Sequence, residues 1–381
     1  MPLNRITSLC CLVSLALLGA ATPAAVDAAN HQRSASPAKA KPKKAADNKP
    51  SRRKAAAASP RNDDAPDDVI YGRRDDVRRF GEDIASRQQL DPQWVARMLE
   101  QARYLPTVAR LMSPPPAGTA KNWAAYRDRF IEPVRVRAGR AFWDANQRWL
   151  AAAEARYGVP AEIVVGIIGV ETIYGRQMGT FRVIDALATL AFDYPAGRRD
   201  RSPFFRDELE NYLRWCADQA IDPLAMRGSY AGAMGMPQFM PSSIRKYAVD
   251  FDGDGRIDLH NNTADVIGSV ANYLAAFGWQ PGLATHHQVG APVDVSDRAA
   301  LLAPDILPTF TAREFIERGA WLPPAAIEHD GKLALVELQN GSAAASYVAG
   351  TSNFYAITRY NWSSYYAMAV IELGQAVKSS R

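Results

Sequence analysis

Apolar positions recur at helical spacing along much of the chain. Residues 77–84 and 93–99 pair one apolar face with one charged face, which predicts two amphipathic helices. Residues 141–157 predict a third, ended by Gly158-Val159-Pro160. Pro160 suits the first turn of a following helix over 161–172. Residues 183–193 and 204–219 continue the pattern, and a helix over 363–376 closes the chain. Residues 285–350 break it. They carry shorter apolar runs, several Pro and Gly, and the β-type piece Leu333-Ala334-Leu335-Val336-Glu337-Leu338. The pattern predicts a mainly α (α+β) fold with a small β-containing part at 285–350, and it holds no internal repeat.

The first 68 residues do not share this pattern. Arg5, the apolar run 9–18 and the small-residue stretch ending at Ala28 read as a secretory signal over 1–28. Cys10 and Cys11 stand at the start of the apolar run, where lipoprotein processing does not use them, so the reading is a soluble, exported, periplasmic protein. Residues 29–68 form an Ala/Pro/Lys/Arg-rich linker that cannot bury enough surface to offset the entropy of ordering. Residues 31–62 hold ten Lys/Arg against one Asp, so a whole-chain charge of +5 leaves the rest at −4. The basicity belongs to the tail, which is either a plain linker or a loose attachment to anionic polymer. Nucleic acid is not expected as a partner. No run of about 20 uninterrupted apolar residues predicts a transmembrane segment. Beyond the leader the 381 residues hold one Cys, Cys216, which excludes a disulfide scaffold and reads as a packing residue.

Four segments carry candidate chemistry. In the helix that leads into 166–175, Val164, Ile167, Ile168 and Glu171 fall on one stripe, which sets a carboxylate at its apolar end. Burial there would favour the protonated form and suit a general acid; the plainer reading is a helix-end Glu bonded to backbone. Residues 228–243 are rich in Gly and Pro and predict a tight irregular hairpin or loop, with Ser229 and Gln238 free to bond a ligand or to satisfy a buried turn. Asp250, Asp252, Asp254 and Asp258 stand at loop positions 1, 3, 5 and 9 of an EF-hand-like pattern, with Gly255 at 6 and Arg256 at the carbonyl-donating position 7. Calcium is the expected ion, with an acidic solvated turn as the alternative. Position 12 is Asn261, and Asp265 is the nearest later carboxylate. Residues 353–366 interleave aromatics with amides and hydroxyls, as a sugar-stacking surface or an aromatic core would. Phosphate-loop, His-x-x-x-His and Gly-x-Ser-x-Gly patterns are absent.

Together, residues 165–175, 228–243, the acidic loop, 267–273 and 353–366 resemble the lytic murein transglycosylase B family, the glycoside hydrolase family 103 type of peptidoglycan lyase. The resemblance spans roughly 69–376. It implies a lysozyme-like core, with a helical region and the calcium loop (250–265) within 69–284, the β part at 285–350 and a C-terminal cleft segment and helix at 351–381. It implies cleavage of the β-1,4 bond between N-acetylmuramic acid and N-acetylglucosamine in peptidoglycan glycan strands, closing a 1,6-anhydro ring. Glu171 matches the single acid/base. Tyr126, Ser229, Gln238, Tyr360, Asn361 and Tyr366 match cleft and sugar-contacting residues. Asp250, Asp252, Asp254, Arg256, Asp258 and Asp265 are the expected ligands of a structural calcium. Arg198 and Arg199 follow Asp193-Tyr194-Pro195 after an Ala196-Gly197 insertion, out of step with the family's arginine pair. Other cell-wall enzymes are the further class of partner. A hydrolytic muramidase and a non-catalytic peptidoglycan-binding protein are the alternatives.

Overall fold

The computed structural model describes residues 71–113, 121–197 and 199–381. The expected signal and linker, and Arg198, lie outside the described residues.

Side-chain caps start several of the helices. Asp91 accepts from the backbone N–H of Gln93 ahead of Pro92–Glu100, and Glu132 accepts from Val134 and Arg135 ahead of Pro133–Ala145. Ser363 caps Ser364–Ser379 by accepting from the Tyr366 N–H. Each bond satisfies a donor that the first helical turn leaves without a carbonyl. The helix expected over 141–157 is two helices, Pro133–Ala145 and Gln147–Tyr157. Asn146 divides them, because its side chain bonds the Phe142 carbonyl at 2.8 Å and accepts from Thr263 Oγ1 at 2.5 Å. The tertiary bond to Thr263 fixes the break.

Ala161–Thr172 is buried on nearly every side, so the apolar stripe anticipated there is a whole apolar cylinder; only Glu162 and Glu171 reach intermediate exposure. It packs along Ser364–Ser379 at very short range. Gly166 and Gly374 permit this. A Cβ on Gly374 would fall 2.8 Å from the Glu162 carbonyl carbon, and one on Gly166 would fall 3.0 Å from that of Val370. Two distant stretches of sequence thus meet backbone to backbone. Val183–Phe192 and Ser202–Asp218 complete this side of the core, with Cys216 buried and its thiol pushed up to about 12 by burial.

The 285–350 region forms a three-stranded antiparallel sheet in the order His286–Gln288, Ala343–Gly350, Ala334–Asn340, together with short helices. Leu335 pairs with Ala349 and Val336 with Val348. Alternation sends Leu335 and Ala349 into a small separate core with Phe315, Leu322 and Leu333. Val336, Leu338 and Val348 face the main core instead. The sheet is therefore buried on both faces and joins two cores, each buried Val or Leu contributing about 1.5–3 kcal/mol. At its base, Asn353 accepts from Gln280 N–H and donates to the carbonyls of Gln280 and Leu283. At its tip, Gly341 N–H donates to the Lys121 carbonyl, and Gln339 exchanges two bonds with the Tyr365 hydroxyl.

Candidate active site

Glu171 occupies the last turn of the Ala161–Thr172 helix. Tyr366, in the first turn of the closing helix, donates its hydroxyl to Glu171 Oε1 at 2.7 Å. Tyr366 is fully buried, and burial followed by the Glu171 charge holds its phenol well above the ordinary range. Tyr360 stacks on Tyr366 with ring centroids 6.3 Å apart. Tyr126 completes the wall: burial first, then Glu171, raises its phenol. The Tyr126 hydroxyl and Asn361 Oδ1 are both buried without a hydrogen-bond partner among the described residues. Such atoms cost roughly 1–3 kcal/mol each unless something else meets them.

The helix ends in a way its sequence does not announce. Ile173, Tyr174 and Gly175 are three successive left-handed residues, with φ of 51°, 56° and 86°. Only the last is glycine, so the first two are strained. Thr172 Oγ1 accepts from the Gly175 N–H and donates to the Met236 carbonyl at 2.9 Å, tying the helix end to the 228–243 loop. That stretch holds the expected tight turn, closed by a Met234–Phe239 bridge, and from Pro241 it begins the next helix. Ser229 Oγ accepts from the Ala231 and Ala233 N–H groups. Gln238, itself at φ 49°, donates to the Met178 and Gly235 carbonyls. Tyr360 donates to the Pro237 carbonyl at 2.5 Å. These three polar side chains hold the loop's backbone in place.

The acidic loop joins Pro241–Tyr247 to Thr263–Ala276. Asp250, Asp252 and Asp254 each place a carboxylate oxygen within 4.8 Å of the others. Asp258 and Asp265 are not part of this cluster. Asp258 caps the next turn by accepting from His260 and Asn261 N–H. Asp265, expected as a ligand, is fully buried and accepts from the N–H groups of Phe251 and Asp258. Its oxygens brace both ends of the loop from beneath. The Arg256 N–H bonds Asp254 Oδ1.

The profile of the Transglycosylase SLT domain matches residues 72–375. The chain belongs to that family. The transglycosylase is 41% identical over 319 residues to membrane-bound lytic murein transglycosylase B of Escherichia coli K12, covering 82% of this chain and 85% of that protein. It is similar to the Escherichia coli lytic transglycosylase Slt35 solved in complex with calcium, with a TM-score of 0.70 and 38% identity over 85% of this chain and 99% of that one. It is also similar to SltB3 of Pseudomonas aeruginosa in complex with NAG-anhNAM-pentapeptide, with a TM-score of 0.64 and 30% identity over 79% of each chain. The protein is a lytic transglycosylase acting on peptidoglycan, with the lysozyme-like, mainly helical fold expected of it.

In the transglycosylase, Glu171, Tyr126, Tyr360 and Tyr366 are gathered at the end of the Ala161–Thr172 helix. Much of the aromatic 353–366 segment is core: Phe354, Tyr360 and Tyr366 are buried, and Tyr360 packs on Phe239 and Tyr273. Asp185 and Asp193, the carboxylates nearest downstream of Glu171, are held by arginines. Arg182 pairs with Asp185 at 2.7 Å, and Arg74 pairs with Asp193 at 2.8 Å beside the Tyr71 hydroxyl. Arg199 is exposed. Sequence reasoning missed Thr172 and Tyr174. Thr172 immediately follows Glu171, but nothing local marks its bond to Met236.

Proposed function

We propose that Glu171 is the sole acid and base of the transglycosylase reaction. The observation that carries this reading is its bond from the buried Tyr366 hydroxyl, in a wall where Tyr126 and Asn361 keep buried polar atoms unmet. Hydrolysis by paired carboxylates needs a second acid about 5–9.5 Å away. Asp185 and Asp193 are engaged by arginines and are poor candidates. Tyr366 donates to Oε1, and Glu171 in its acid form delivers its proton to the glycosidic oxygen as the bond breaks. The muramic acid acetamide covers the cationic carbon. The Glu171 carboxylate then takes the C6 hydroxyl proton, and the 1,6-anhydro ring closes without water. Tyr126 Oη and Asn361 Oδ1 meet substrate polar groups, while Ser229, Gln238 and Tyr360 keep the loop beside them rigid.

The same reading places a structural calcium at Asp250, Asp252 and Asp254, whose clustered oxygens suit a hard cation. Bound there, it would offset two of the three like charges and relieve their repulsion. It also takes the protein as exported and periplasmic, with glycan strands as its ligand and other cell-wall enzymes as neighbours. No helix among the described residues is long and apolar enough to cross a membrane. Mass spectrometry of the muropeptides released from purified peptidoglycan tests the central claim. Anhydro products, lighter by one water than hydrolysis products, are expected; free reducing ends would make the protein a muramidase.

A further inference from the structure

We propose that Tyr174 is a positioning residue for Glu171, acting as a wedge that sets the end of the helix carrying the acid. This rests on the assignment of Glu171 as the acid/base. Tyr174 sits in the left-handed region at φ 56°, between Ile173 at φ 51° and Gly175, so its backbone is held where an aromatic residue is disfavoured. Strain of this kind persists only where the surroundings over-determine it, and here they do. The phenol fills a slot between the Pro133–Ala145 and Ala161–Thr172 helices that two glycines leave open. A Cβ on Gly169 would fall 2.7 Å from Tyr174 Cζ and 2.8 Å from Leu373 Cδ2. A Cβ on Gly139 would fall 2.9 Å from the same Cζ and would also press on Val377. Phe142 packs on the ring at 5.2 Å.

Leu373 and Val377 belong to the closing helix, which also carries Tyr366. Gly139 and Gly169 thus face both the phenol and the closing helix, so the ring sits at the junction of the three helices whose spacing decides how Tyr366 meets Glu171. Its hydroxyl is buried and has no hydrogen-bond partner among the described residues. Hydrogen bonding does not explain why an aromatic residue stands here; the length and planarity of the ring do. A displacement of Glu171 of about 1 Å can cost roughly 100-fold in rate.

The test compares Tyr174→Phe and Tyr174→Ala in the full chain on soluble glycan strands, with Glu171→Gln beside them and a melting curve for each. Tyr174→Phe keeps the wedge and drops only an unpartnered hydroxyl, so kcat and KM should stay at wild-type values. Tyr174→Ala should lower kcat about 100-fold, with KM within about twofold, at a temperature well below its own melting point. If Tyr174→Ala does not fold, Tyr174→Leu, which keeps burial without the planar reach, should show the same split. Full kcat in the truncated variant, or a loss in Tyr174→Phe equal to that in Tyr174→Ala, would overturn the wedge. An active Glu171→Gln would instead overturn the assignment of the acid.

Discussion

Tyr366 and Glu171 lie 195 residues apart, yet the phenol of one donates to the carboxyl of the other at 2.7 Å. A hydrogen bond to a charged group contributes about 1.5–3 kcal/mol. Tyr366→Phe keeps the ring and removes the donor. It should lower kcat by roughly 10- to 100-fold, with little change in glycan binding, read by steady-state release of anhydro-muropeptides.

The helix pair that creates this contact depends on Gly374. Replacing it with Ala gains up to about 1 kcal/mol of helix propensity. The added methyl, however, meets the Glu162 carbonyl, which belongs to backbone and cannot swing away. Overpacking of this kind costs about 1–3 kcal/mol or more, so the clash wins. Gly374→Ala should lower the urea midpoint without changing its slope.

Calcium should raise the melting temperature, since an ion that binds only the folded state stabilises it by about 2.7 kcal/mol at a hundredfold excess over its Kd. Asp254→Ala removes one of three clustered carboxylates and should abolish the rise. Asp265→Ala should instead destabilise the protein with or without calcium, because it strips the bonds to Phe251 and Asp258 N–H. Identical curves for the wild type in chelator and in millimolar calcium would refute the site.

Glu314 closes a capping box with Thr311, whose backbone N–H and hydroxyl hold the Glu314 carboxyl down at about 2, against an ordinary 4.5. A lowered folded-state value means stabilisation that is complete above the ordinary range and lost as pH falls toward about 2. The gap in melting temperature between wild type and Glu314→Ala should be constant near neutrality. It should close as pH falls between those two values.

Several elements were legible because their causes are local. The 161–172 helix begins after Pro160, and the Gly- and Pro-rich run up to Pro241 makes a tight turn. The break at Asn146 was not legible, since it depends on Thr263, over a hundred residues away. Asp265 looked like a ligand by position in the chain; its burial and its two backbone donors come from tertiary packing. Glu171 is legible only as a carboxylate at the end of an apolar run; its bond from Tyr366 comes from 195 residues away. Ile173 and Tyr174 carry no sign of their left-handed backbone, because that conformation is imposed by the slot the phenol fills.

The sheet inserted at 285–350 leaves the helical body and returns to it through a clasp at its base, where Asn353 grips Gln280 and Leu283 and Thr351 donates to the carbonyls of Ala284 and Thr285. Judged there alone, it resembles a cassette that could be cut out and its ends rejoined. The far end forbids this. The hairpin tip is bonded to Lys121 and to Tyr365, whose ring packs on Trp123 and Tyr126 beside the acid. Excision would leave a closed backbone and an unroofed aromatic wall. Swapping the sheet between relatives should therefore succeed only when the tip and its Tyr365 socket travel together.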